Sequence, residues 1–183
     1  LSIVQQFFKD SQPFEPQGVE LQLTPQENEK LASYGAAGQT RVMVAFASKW
    51  ENKCLSLPTL VEFLKYVYEE EACVFYFVCG TDSEKKVADE LAAHFPESIV
   101  IQQPPIPLWQ RMMGEMNLVI AADSAALALC GTTKAPSFSF FGPTKASVYK
   151  PVGSQHQHFQ GECPYGVSFT ARCPRLRSCE TGA

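Results

Sequence analysis

Five short apolar runs, separated by segments patterned for helix, constrain this chain more than any other feature. The runs are Arg41 to Phe46, Cys73 to Cys79, Ser98 to Ile101, Leu118 to Ala122 and Pro136 to Phe141. Each has strand length, and none approaches the roughly 20 residues of a membrane span. Cys73 to Cys79 is apolar throughout, as a strand covered on both faces should be. Between the runs, Leu60, Phe63, Leu64 and Val67 recur at helical spacing, and so do Trp109, Met112, Met113 and Met116.

Helix starts punctuate the same pattern. Thr24-Pro25-Gln26-Glu27 combines a capping residue, Pro at the first helical position and Glu three residues after the cap. That helix should run to about Tyr34 and stop at Gly35. Ser56-Leu57-Pro58 opens a second helix, and Asp82 or Ser83 caps a third that reaches about Phe95. Further helices are expected over Pro107 to Met116 and from Ser124 to about Gly131. Strand and helix in strict alternation predict an α/β fold: a Rossmann-like parallel sheet with helices on both faces. After Gly142-Pro143-Thr144 the pattern dissolves. The expected organisation is a linker or displaced arm over 1–23, the α/β domain over 24–160 and a cysteine-containing tail over 161–183. A chain that starts at Leu1 and stops just past a cysteine-rich stretch reads as a piece of a longer protein.

Composition excludes some classes. With 45% hydrophobic and 19% charged residues the chain can bury a sizeable core. A net charge of −4 argues against nucleic acid as a partner. Cys54, Cys73, Cys79 and Cys130 fall in or beside core elements, where cysteine acts as a small hydrophobe. Cys163, Cys173 and Cys179 lie in the tail. The spacing Cys173-x5-Cys179, with no His close after it, is not that of a zinc site, so no metal is expected.

In open parallel sheets ligands bind beyond the carboxyl ends of the strands. Four places follow from that rule. Ser48-Lys49-Trp50-Glu51-Asn52-Lys53 after the first strand is a cationic loop, which is either solvated or set to pair with phosphate. Asp82, after Cys79-Gly80-Thr81, either caps a helix or accepts from a ribose. Asp123-Ser124-Ala125-Ala126 leads small residues into a helix start, whose first N–H groups are unpaired and suit an anion. Thr144, in Phe141-Gly142-Pro143-Thr144, either caps or touches a ligand. Neither the dinucleotide fingerprint nor the P-loop is present.

The order of these segments resembles the C-terminal domain of the ADP-heptose:lipopolysaccharide heptosyltransferases, glycosyltransferase family 9, of GT-B fold. Three stretches carry the resemblance: Ser48 to Lys53, Val119 to Leu129, and Phe140-Phe141-Gly142-Pro143-Thr144. The tail Cys173-Pro174-Arg175-Leu176-Arg177-Ser178-Cys179 also resembles a stretch near the family's C-terminus. The resemblance implies a donor-binding domain for a nucleotide sugar, ADP-heptose first, with Lys53 on the pyrophosphate and Ser48 and Lys49 beside it. Asp82, or Glu84, would face the nucleoside, Pro104 or Pro105 the adenine, and Asp123, Ser124 and Ala125 the phosphates. It implies a lipopolysaccharide or lipid A–Kdo acceptor and a catalytic base, both met by a preceding domain, so that this piece alone is inactive. It also implies a cytoplasmic place, with the inner face of the inner membrane as a peripheral site. No cofactor is expected, since the sequence offers no acidic pair suited to Mg²⁺. The chain departs from the family pattern at Ala125, Ala126 and Ala128, where Gly, Pro and His are usual. That departure motivates a second reading, a non-catalytic binding or scaffold module; a third is an unrelated nucleotide-binding α/β domain.

Overall fold

A computed structural model describes residues 18–35 and 38–179. Most of the expected arm, residues 1–17, and the last four residues of the tail lie outside the described residues. Helix α1 spans Pro25–Ser33, strand β1 Thr40–Ala45, α2 Leu57–Glu70 and β2 Cys73–Cys79. Then come α3 Asp82–Ala92, β3 Ile99–Gln102, α4 Ile106–Gly114, β4 Leu118–Ala122, α5 Ala125–Cys130 and β5 Ser137–Phe141. Two elements follow that the sequence pattern did not announce: α6 Ala146–Tyr149 and β6 His156–Gln160. The strands form one six-stranded sheet in the order β3-β2-β1-β4-β5-β6, every pair parallel. The α/β sheet expected from alternation is therefore the observed fold.

Side chains of β2 point alternately to two cores. Val74, Tyr76 and Val78 join Met43, Leu108, Met112 and Val119 on one face. Cys73, Phe75, Phe77 and Cys79 join Val44, Leu60, Leu64, Leu91 and Phe95 on the other. A strand buried on both faces has no polar positions to spare, which is why β2 reads as an unbroken apolar run. Burial pushes the Cys73 and Cys130 thiols up to about 11, so both are inert fillers of the core.

The helix starts follow local chemistry. The Thr24 hydroxyl accepts from the Glu27 N–H, and the Glu27 carboxylate accepts from the Thr24 N–H. Ser56 caps α2 through the Thr59 N–H. The start of α3 corrects the expectation. Its cap is Thr81, not Asp82 or Ser83, because Thr81 and Glu84 form a capping box one residue earlier.

Strand β6 escaped notice because it lies at the sheet edge, with only His156 buried. His156 is 1% exposed; its Nδ1 lies 2.9 Å from Ser137 Oγ, and its Nε2 has no partner among the described residues. Burial, aided by the Lys150 cation, holds its pKa below the usual histidine value. The unfolded chain therefore takes up this proton first on acidification. Its contribution to stability is full above about pH 6.5 and is lost as pH falls, with a slope of at most about 1.4 kcal/mol per pH unit. We expect the urea midpoint to fall between pH 7.5 and 5.5, and to fall less in His156→Gln. Identical pH profiles would show that this histidine does not contribute.

Candidate functional site

The chain runs outward from β1 to β2 on one side and returns through β4 on the other, so β1 and β4 are neighbours. Their carboxyl ends mark the switch point of the sheet, where a crevice opens. A cavity of about 520 Å³ lies there, lined by the exits of β1, β2 and β4 and by Pro104 and Trp109.

Beyond β1 the chain makes a short 3-10 turn, Glu51–Lys53, closed by Lys53 N–H donating to Trp50 O at 2.9 Å. This turn carries Lys53 back toward β4. Its Nζ lies 2.7 Å from Asp123 Oδ2, with side-chain exposures of 15% and 12%. The Thr144 hydroxyl, from the turn after β5, donates to the same oxygen at 2.6 Å. Ser48 Oγ donates to the Asp123 carbonyl at 3.1 Å. Three loops distant in sequence are thus fastened at one aspartate.

Of the residues expected at the site, Ser48, Lys49, Lys53, Asp123, Ser124 and Ala125 all line the cavity. Asp82 does not. It is exposed, its carboxylate accepts from Gln102 Nε2 at 2.8 Å, and it sits outside the lining. Glu84 does reach the lining, but its carboxylate is engaged by the Gly80 and Thr81 N–H groups. Ser124 occupies the cap position of α5. Its hydroxyl makes no cap bond and is buried without a partner among the described residues. Helix α5 is six residues long, Ala125–Cys130, between the caps Ser124 and Gly131. Pro104 lines the cavity and Pro105 caps α4 instead.

Some lining residues were not anticipated. Trp109, read as a core position of α4, has its ring on the cavity and its Nε1–H buried without a partner among the described residues. Gln103 takes φ 49 and fixes its loop by donating from its backbone to Cys79 O and from its side chain to Gly80 O. Trp50 has the Lys49 ammonium at 5.8 Å and the Arg177 guanidinium at 5.9 Å from its ring centre. The sequence signal that could have placed Trp109 at the site is its position in the first helix turn after a strand's carboxyl end.

The charged residues of the lining are Lys49, Lys53, Glu84 and Asp123, which balance. Beside them, burial pushes the Cys54 thiol up, away from nucleophilic character. Among the described residues no group of three His, Cys, Asp or Glu side chains is placed to hold a metal ion. Nor is any helix among them long and apolar enough to cross a membrane.

The family model for Glycosyltransferase family 9 (heptosyltransferase) matches residues 4–177. The fold is similar to that of E. coli ADP-heptose lps heptosyltransferase II, at TM-score 0.64 and 11% identity over 82% of this chain and 46% of that one. It is similar to E. coli heptosyltransferase WaaC with ADP, at TM-score 0.63 and 14% identity over 72% of this chain and 41% of that one. WaaC has also been solved with ADP-2-deoxy-2-fluoro heptose. A family 9 glycosyl transferase from Veillonella parvula DSM 2008 gives TM-score 0.64 at 14% identity, over 80% of this chain and 43% of that one. The chain thus spans less than half the length of each of these structures. No curated protein matches the chain.

Proposed function

The chain belongs to glycosyltransferase family 9, and from that premise we propose that its β1/β4 cavity binds the nucleotide diphosphate of a sugar donor, with ADP-heptose the first candidate. The whole protein would then move heptose, or a related sugar, onto the inner core of lipopolysaccharide. The observation that carries the reading is Lys53, brought by the β1 loop to the mouth of the cavity and held there by Asp123. WaaC, a structural relative solved with ADP, supports the choice of nucleotide.

The chemistry follows from where charge develops. As the sugar leaves, negative charge grows on the departing pyrophosphate, and a fixed cation stabilises it without reorganising. An ammonium carries three donors, and Asp123 takes one of them. Lys53 would supply charge to the pyrophosphate, with no metal ion required in this proposal. Lys49, on the exposed rim, would add a weaker and more screened attraction. Ala125 places a methyl where the family has Gly, against the lining where phosphate would approach. Transfer itself would need a base from a preceding domain.

A second reading, a non-catalytic binding or scaffold module, is favoured by the balanced charge of the lining. A thermal-shift screen separates the two. ADP, UDP, GDP and CMP are compared; a nucleotide at ten times its dissociation constant adds about 1.4 kcal/mol. For a chain of this size that raises Tm by about 3–6 °C. A shift with ADP above the others supports the donor reading. No shift with any nucleotide at millimolar concentration removes it and leaves the scaffold.

A further inference from the structure

Asn52 is buried, 4% exposed, on the 3-10 turn that carries Lys53. Its two side-chain hydrogens are donated to Leu176 O at 2.8 Å and Cys179 O at 2.9 Å. The tail that accepts them is itself folded: Leu176 N–H donates to Cys173 O, and Ser178 and Cys179 N–H groups donate to Arg175 O. Leu176 and Cys173 are buried. The same stretch grips the turn after β5. Thr144 and Arg172 form an antiparallel bridge, Cys173 N–H donates to Pro143 O at 2.7 Å, and Lys145 N–H donates to Ala171 O at 2.8 Å. Arg177 lies over the ring of Trp50.

One tail therefore fastens two loops. The first delivers Lys53 and the second delivers Thr144, and both side chains end on Asp123 Oδ2. We propose that residues 171–179 are a positioning element of the donor cavity, and that Asn52 is the positioning residue through which they hold Lys53 against Asp123. The role rests on the nucleotide-donor reading for its function, although the clamp itself is a matter of geometry. Asn52 touches no ligand in this account; it sets where the Lys53 ammonium stands.

The test uses the full chain with Asn52→Leu, which keeps the size and removes both donors. Asn52→Ser, smaller and still polar, serves should the leucine variant fail to fold. The first readout needs no nucleotide: the rate at which an amine-acylating reagent modifies Lys53, followed by mass spectrometry with exposed Lys65 as the internal reference. Release from Asp123 should raise the Lys53 rate severalfold while Lys65 stays unchanged. Equal rates in variant and wild type overturn the clamp. The second readout is ADP affinity in a double-mutant cycle with Lys53→Ala. A displaced cation should cost about tenfold in affinity, and Asn52→Leu should cost nothing more once Lys53 is gone. Fully additive losses would mean that Asn52 merely supports the fold, and would overturn the role. If wild type binds no nucleotide, the donor reading falls, and acylation alone decides the clamp.

Discussion

Lys53→Ala should weaken ADP binding by at least tenfold, whereas Lys49→Ala should change it less than threefold. The difference follows from surroundings rather than charge, which is the same. Lys53 is largely buried and oriented by Asp123, so its ammonium meets a phosphate with little entropy left to lose. A hydrogen bond to a charged group is worth about 1.5–3 kcal/mol, or roughly ten- to a hundredfold. Lys49 is exposed, its charge lies near the Trp50 ring, and salt screens it. Isothermal titration of both variants at two salt concentrations checks the ranking, and equal affinities would remove Lys53 from its assigned place. The Lys53 substitution also leaves Asp123 facing only the Thr144 hydroxyl and the Ser48 contact at its carbonyl. Urea unfolding beside the titration separates a lost contact from a weakened fold.

Phe75→Ala should destabilise the fold by about 3–5 kcal/mol. Phe75 is 1% exposed on the innermost stretch of β2. Its ring meets Phe95 edge-on at 4.8 Å and lies 5.8 Å from Phe77. Truncation opens a void between the sheet and helices α2 and α3, and close-packed neighbours collapse only in part. Urea unfolding measures the loss, with the slope m unchanged if the denatured state is unaltered. A shift below 1 kcal/mol would mean that this face of the sheet repacks freely.

The sheet was legible because burial on both faces writes itself as apolar runs, and all five runs became strands. Elements with little burial left no such mark. Strand β6, His156-Gln157-His158-Phe159-Gln160, buries only its first residue, so hydrogen bonding to β5 defines it rather than hydropathy. The cap of α3 was misplaced by a residue, because Thr81, Asp82 and Ser83 all have capping chemistry and only backbone geometry chooses among them.

At the site, proximity to strand ends singled out the loops of Lys53 and Asp123, which meet at the cavity. Their pairing was not legible, since it depends on the register Val44↔Ile120 and Ala45↔Ala121 that sets the two strand ends side by side. Asp82 also follows a strand's carboxyl end, yet it lies outside the cavity lining, with its carboxylate accepting from Gln102. Trp109 shows the converse, a side chain assigned to the core by periodicity whose ring also walls the cavity.

The hold of Asn52 on the tail has a consequence for synthesis. Its two acceptors lie 124 and 127 residues further along the chain. At about 5–20 residues per second, a ribosome needs roughly 6 to 25 s to reach them after Asn52 is made. During that interval β1 and β2 can already pair and Lys53 can meet Asp123, while the turn lacks its anchor in the tail. The β1/β4 cavity is therefore among the last features of this domain to be completed, and a nascent chain stopped before Leu176 would hold a sheet without a finished pocket.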